Sequence, residues 1–465
     1  MDEKRSARQL RPIAEVVGTA DLHDRLVAAV LAEDAEEVWS CVRVGAEPDA
    51  PGPDGLPLLC TAVAGHDSES ARWLVDYGAD PDRVLPDGTT PLLRAVDSGS
   101  PAMVGTLTGK DPAIRIAPAE QERLLGLARN WCTVGAVETL RRRTGARGPA
   151  VRRTVTEQFV DLDEVSLGGL TVREGHSGVL TGLERALGIL TPAAELVARA
   201  VAYPAELHAN WSAASFTLGG RRSPQAWSEL AALRHHPDPV HRRFLADVLG
   251  SRETSLVFGE RPDVTPDADF LVAWALDEPD GEVLCRILEV IAEKDHPDVR
   301  SVGLRYVAHP HPGVRYEVVS CLLPWEAPLG AATTAALVAL SRDPVFTVRA
   351  GVAWKLNSHG RELAPAFRDV LLALLQDADV VVRNRAAASL AGSEDCAPAV
   401  MDALLALLDE EDRDLRLEAA YGLAVRDHPR TEEAYERVGP GPYVEHDHRP
   451  DALWRYRTRN RSEEG

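Results

Sequence analysis

The stretches Val348-Arg349-Ala350-Gly351-Val352-Ala353-Trp354-Lys355-Leu356, Val382-Arg383-Asn384-Arg385-Ala386-Ala387-Ala388-Ser389-Leu390 and Leu415-Arg416-Leu417-Glu418-Ala419-Ala420-Tyr421-Gly422-Leu423 are three copies of one pattern. Each opens on an aliphatic residue and an arginine, has small or aliphatic residues four and five positions on, and closes on leucine. Residues spaced i, i+4, i+5 and i+8 make one helical stripe. Val314-Arg315 is a further copy, so the arginines recur at steps of 34, 34 and 33 residues. A period of this length marks a solenoid, in which each unit buries its apolar face only against its neighbours.

Fainter copies begin at Val240, Val283 and Val314, and every copy has a helical stretch ahead of it. These stretches are 226–233, 270–276, 299–307, 334–340, 363–375 and 399–408, which predicts about six helix pairs over 224–427. Residues 251–266 stretch one turn and predict a loop insertion. Asp343 and Asp377 precede Arg349 and Arg383 by six residues. The whole pattern resembles HEAT repeats of bacterial type. That resemblance implies a hydrogen-bonded ladder of Arg315, Asp343, Arg349, Asp377, Arg383 and Arg416 along the stack, and second helices that line a concave face.

A different period runs through the N-terminal part. Ala29, Ala62, Ala95 and Ala128 recur every 33 residues, as do Val38, Ala71, Val104 and Val137, and Leu74, Leu107 and Leu140. In Asp87-Gly88-Thr89-Thr90-Pro91-Leu92, Thr90 is a good helix N-cap and Pro91 fits the first helical position, where no N–H is needed. Gly78-Ala79-Asp80-Pro81-Asp82 closes a unit, and Gly45-Ala46-Glu47-Pro48-Asp49 lies 33 residues upstream. These motifs resemble ankyrin repeats, with units at about 21–46, 54–79, 87–112 and 120–146. Pro57 comes one position early, Leu93 stands where the family usually has histidine, and the fourth unit lacks the Gly-Thr-Pro turn.

The expected fold class is all-α: a tail (1–20), an ankyrin stack (21–146), a helical adaptor (147–223), a HEAT-like superhelix (224–427) and a loosely ordered tail (428–465). Within the adaptor, 179–190 and 193–201 read as amphipathic helices, and Pro149 and Gly168-Gly169 as flexible points. The formal charge of −21 and pI near 5.1 argue against a protein that tracks nucleic acid phosphates. Six cysteines without paired spacing read as reduced thiols. No run is long enough to cross a bilayer and the first twenty residues lack an apolar signal core, so the expected location is the cytoplasm.

No catalytic residue, metal site or cofactor is expected. Histidine pairs occur only at 235–236, 309 with 311, and 446 with 448, and a metal needs three or four convergent ligands. His-Pro recurs at 236–237, 296–297, 311–312 and 428–429, where the histidine is expected to cap a carbonyl and the proline to start a helix. HEAT-like hydroxylases use His-Glu dipeptides, which this chain lacks; HEAT-like bilin lyases share only the generic repeat; HEAT-like glycosylases need a basic concave face with aromatics, and this chain is acidic. No Gly-rich phosphate loop, serine elbow or Cys-His pair is present.

Positions that vary at fixed register are the better binding candidates. On the second helices these are Tyr316, Trp354, Lys355, Arg385 and Tyr421; on the N-terminal turn tips they are Arg83 and Leu85. Aromatics and arginine are enriched at binding hot spots. The tail Trp454-Arg455-Tyr456-Arg457-Thr458-Arg459-Asn460-Arg461 suits nucleic acid stacking, and suits docking on the acidic solenoid better. The expected function is a non-catalytic protein-binding scaffold. The rivals are a HEAT-like lyase or ligand-modifying enzyme, and a nucleic-acid binder acting through the arginine tail.

Overall fold

The computed structural model describes residues 19–205, 207–221, 223–254, 265–323, 329–358, 363–439 and 447–463. The chain divides into two units, residues 1–236 with 250–257, and residues 237–249 with 258–465.

The first unit begins as hairpins of short helices: α1 (Thr19–Leu31) with α2 (Ala35–Arg43), α3 (Leu58–Gly65) with α4 (Ser68–Asp76), and α5 (Pro91–Ser98) with α6 (Pro101–Thr108). Asp34, Asp67 and Ser100 cap the second helix of each hairpin, accepting from the N–H groups of Glu37, Ser70 and Met103. Such a cap is worth about 1 kcal/mol. Thr90 caps α5 by accepting from the Leu93 N–H, with Pro91 at the first turn. Ala29, Ala62, Ala95 and Ala128 are all buried, which is why the period needs a small residue there. One turn of helix, α7 (Pro112–Arg115), leads to α8 (Pro118–Val134) and α9 (Ala136–Thr144).

Residues 147–223 depart from the expected helical adaptor. They open with an antiparallel meander of β1 (Val151–Glu157), β2 (Val160–Leu167) and β3 (Leu170–Arg173). Arg153 stands directly across from Glu164 and pairs with it at 2.6 Å, while Arg152 pairs with Glu174. Arg152 and Arg153 on β1 thus find their acidic partners across the meander. Val165, Leu167 and Val172 bury against Trp131, Ala136 and Leu140. Gly168 and Gly169, with φ of 62° and 84°, form the tight β2–β3 turn rather than a flexible point. Helices α10 (His176–Ala186), α11 (Ala193–Val201), α12 (Ala209–Gly219) and α13 (Pro224–Ala231) follow.

A polar knot ties α5, α8, α9 and α10 together. Asp97 accepts from the Trp131 indole (2.8 Å) and from both terminal nitrogens of Arg143 (2.6 and 2.7 Å). The buried His176 ring stacks on Trp131 at 4.3 Å and lies 3.3 Å from the Asp97 carbonyl. Gly99, at φ 76°, sits where a Cβ would collide with the Arg173 carbonyl and the His176 ring. Burial lowers the His176 pKa to about 4.

The second unit is a run of helix pairs. Helix α14 (Pro239–Thr254) is followed by α15 (Thr265–Ala275) with α16 (Gly281–Ala292), α17 (Val299–Arg305) with α18 (Pro312–Leu322), α19 (Ala331–Leu340) with α20 (Phe346–Ser358), α21 (Pro365–Leu374) with α22 (Val380–Gly392), and α23 (Pro398–Leu407) with α24 (Arg413–Val425). The expected insertion at 251–266 falls largely outside the described residues. From α16 to α24 the second helices of successive pairs pack directly on one another, whereas the first helices meet sparsely. The second helices therefore form the inner side of the curve. Small residues permit the close approach: the Ser389 hydroxyl donates to the Ala353 carbonyl at 2.6 Å, and Gly422 lies against Ala391.

The tail is more ordered than its aperiodic sequence indicates. Helices α25 (Thr431–Val438) and α26 (His448–Glu463) both pack on α24. The burial of Leu453 and Tyr456 supplies the reason.

Candidate functional site

The arginines at the start of the second helices form the expected rungs, with a division of labour. Arg315 donates to both oxygens of Asp343 (2.6 and 2.9 Å), and Arg349 to both oxygens of Asp377 (2.7 Å each). Each carboxylate belongs to the following repeat, 28 residues on. Each arginine also donates backward to carbonyls of its own inter-helix turn, His309 and Pro310 for Arg315, and Asp343 and Pro344 for Arg349. Hydrogen bonds from the arginines and from turn N–H groups hold both aspartates below the usual carboxylate range, against the cost of burial. Arg383 and Arg416 keep the backward bonds, but among the described residues no carboxylate completes them; Arg416 donates instead to the Arg437 carbonyl at 3.1 Å. A further rung, Arg242 to Glu278, escaped the sequence reading. Its arginine lies two residues after Val240 rather than one, and its carboxylate is glutamate.

The inner face presents what the rungs hold in register. Two residues after each arginine stand Glu317, Gly351, Arg385 and Glu418; five residues after stand Ser320, Trp354, Ala388 and Tyr421. The Tyr316 ring lies over Gly351, so that a Cβ there would come within 2.9 Å of it. Trp354 is 52% exposed, although both its neighbours in the pattern, Ala353 and Leu356, are buried. The Arg385 guanidinium stands 5.5 Å from the centre of the Trp354 ring, a cation–π pair across adjacent repeats. Lys355 is half-buried beside them. Glu317 has no hydrogen bond or salt bridge among the described residues, and burial with Glu289 nearby pushes its pKa up to about 7.

Tyr421 is not open. The His448 ring meets it edge-on at 5.1 Å, and α26 covers this end of the face. Glu418 pairs there with Arg449 at 2.7 Å. Arg457 of the arginine tail pairs with Glu432 and lies over Tyr435, both on α25 and so within the tail itself; the ion pair to the repeats comes from Arg449. Side chains beyond Thr458, including Arg459 and Arg461, lie outside the described residues.

On the N-terminal tips, Leu85 is only 4% exposed and packs inside, so it offers no contact point; the exposed apolar tip residue is its neighbour Val84. A residue at a tip that precedes a hairpin is swallowed by that hairpin. Arg83 is exposed and faces Asp49 at 3.5 Å, with the Arg115–Asp82 pair repeating the arrangement one tip on. The histidines at inter-helix turns act differently from expectation. His296, His309 and His428 accept through Nδ1 from the N–H two residues on, so they cap amides rather than carbonyls. His446 lies outside the described residues. Among the described residues no three His, Cys, Asp or Glu converge as metal ligands, and no helix is long and apolar enough to cross a membrane. A cleft of about 630 Å³ lies between α19 and α21, lined by Val338, Ser341, Arg342, Ala366, Asp369 and Asp377; the Ser341 hydroxyl donates to the Val338 carbonyl at 2.9 Å.

Residues 333–424 match the HEAT repeats family. This span holds the pairs α19–α20, α21–α22 and most of α23–α24, with the Trp354–Arg385 contact at its centre. Two solved structures are similar to this chain. One is Escherichia coli YibA, at 18% identity over 54% of this chain and 93% of that chain, with a TM-score of 0.41. The other is an engineered protein, at 16% identity over 91% of this chain and 95% of that chain, with a TM-score of 0.36. No curated protein matches the sequence. The HEAT repeats form a helical scaffold within a chain that is mostly helical.

Proposed function

We propose that this chain is a non-catalytic, cytoplasmic scaffold that holds protein partners on the inner face of its HEAT repeats and on the tips of an ankyrin-like N-terminal stack. The observation that carries the reading is the half-exposed Trp354 with Arg385 set over it, on a layer whose other positions are small or buried. A large aromatic kept in water on a preordered surface costs nothing to organise at binding, and Trp and Arg are the residue types that anchor interfaces. The 33-residue recurrence of caps at Asp34, Asp67 and Ser100 supports the ankyrin-like reading of the first unit. A scaffold of this kind needs no cofactor or metal, and its acidity disfavours nucleic acid as the partner.

The test is quantitative affinity capture from the native host with the full chain, comparing wild type with Trp354→Ala and Arg385→Ala. Proteins captured by wild type and lost with both variants, while circular dichroism stays unchanged, support the reading. Equal capture by all three moves binding to the tips around Arg83.

A further inference from the structure

The last repeat shows what its inner face accepts. Helix α26 lies on α24, and its contacts form one stripe: Arg449, Leu453, Tyr456 and Arg457, at i, i+4, i+7 and i+8. Arg449 pairs with Glu418 and is itself held by Asp447 at 2.8 Å. His448 meets Tyr421, Leu453 and Tyr456 are buried, and the Tyr456 hydroxyl donates to the His428 carbonyl at 3.2 Å.

Glu418 and Tyr421 stand two and five residues after Arg416. The same two positions carry Glu317 after Arg315 and Trp354 after Arg349. The middle of the inner face therefore repeats the acid-plus-aromatic pair that α26 covers at the end, split between adjacent repeats. There the acid makes no hydrogen bond or ion pair among the described residues, with Lys355 and Arg286 only near it, and the aromatic is half exposed. Gly351, on the same helix as Trp354, leaves room for the edge of the Tyr316 ring.

Resting on the scaffold reading above, we propose that the face of α18, α20 and α22 docks an amphipathic helix of a protein partner, with an arginine set on Glu317 and apolar side chains one and two turns further on over Tyr316 and Trp354. This is helix-in-groove recognition, read by anchors at i, i+4 and i+7. An arginine matches a lone carboxylate with two parallel hydrogen bonds, which a lysine does not. The raised pKa of Glu317 agrees with a half-buried acid whose counter-charge is supplied by the partner. Lys355 and Arg286 stand near enough to draw the Glu317 pKa down, but neither forms an ion pair with it, and Arg286 is engaged with Asp247 and Glu289.

The probe is a fluorescent, helix-stapled peptide of residues 447–463, titrated with the full chain at pH 7.5 and read by fluorescence anisotropy. The proposal expects saturable binding that weakens by about tenfold or more in Glu317→Gln and in Trp354→Ala, with Arg142→Ala, an exposed position on α9, unchanged. A peptide carrying Arg449→Glu should not bind wild type and should bind Glu317→Arg, which a merely structural role of Glu317 does not produce. No binding, or binding equal in wild type and both variants, overturns the proposal. Binding that depends on Glu418 but not Glu317 is exchange at the tail's own seat and overturns it too. If the peptide fails while Trp354→Ala still loses captured partners, the helix proposal falls and the scaffold reading stands.

Discussion

Lowering the pH from 7.5 to 5 should weaken the first unit through His176. Its ring is buried between Trp131 and Gly99, 3.3 Å from the Asp97 carbonyl. Burial lowers its pKa from 6.5 to about 4; Asp97 opposes that shift and Arg143 adds to it. In the unfolded chain the ring takes up a proton near pH 6.5, while the folded chain resists until about pH 4. The unfolded state thus binds more protons between those values, so stability falls as pH falls through this window and levels off below it. The gap of about 2.5 units corresponds to about 3 kcal/mol in full, of which roughly 2 kcal/mol is lost by pH 5. The measurement is hydrogen exchange of the amides in α5 and α10 at pH 7.5 and 5, for wild type and His176→Phe. Phenylalanine keeps the stack on Trp131 and cannot titrate. His66, whose pKa is also lowered to about 4, titrates alike in both proteins and cancels in the difference. Equal pH dependence in the two proteins would refute the reasoning.

Arg349→Ala should cost about 1.5–3 kcal/mol in urea unfolding, and Arg383→Ala clearly less, because only Arg349 has a carboxylate in the next repeat. Gly99→Ala should destabilise by more than about 2 kcal/mol in the same assay, since it meets both a left-handed backbone and two colliding groups. Glu317→Gln should raise the melting temperature at pH 8 and leave it little changed at pH 3.5. A carboxyl whose folded pKa is raised from 4.5 to about 7 loses stability as pH rises through that window, reaches its full cost above it and has almost none below it.

The helix pairs were legible because a solenoid writes its packing into a period. Ala62 and Ala95 recur for the same reason that they are buried, and Val348 and Val382 likewise. The ladder was legible from Asp343 and Asp377, but not the rung of Arg242, where the arginine shifts by one residue. The meander was not legible because its strands carry their alternation in Arg, Thr, Asp and Glu, whose pairing, as of Arg153 with Glu164, exists only across the ladder. The Gly168-Gly169 pair between Val165-Ser166-Leu167 and Leu170-Thr171-Val172 was the available signal for the hairpin. At the site, Trp354 and Arg385 sit 31 residues apart and do meet, whereas Tyr421 could not be seen to be covered, because the covering helix obeys no period. Leu85 was misplaced because sequence marks a turn tip but not which hairpin folds over it.

The forward direction of the rungs gives the chain an order in time. Arg315 and Arg349 each close on a carboxylate that the ribosome makes 28 residues later. A nascent chain therefore always ends in an arginine already anchored to its own turn and holding out its remaining donors for a repeat that has not yet emerged. Growth from the other end would present a carboxylate first, with nothing prearranged to meet it. The carboxylate series ends at Asp377: Arg383 keeps its backward bonds, and the Arg416 guanidinium closes on the Arg437 carbonyl of α25, an uncharged acceptor that ends the stack without a further acid.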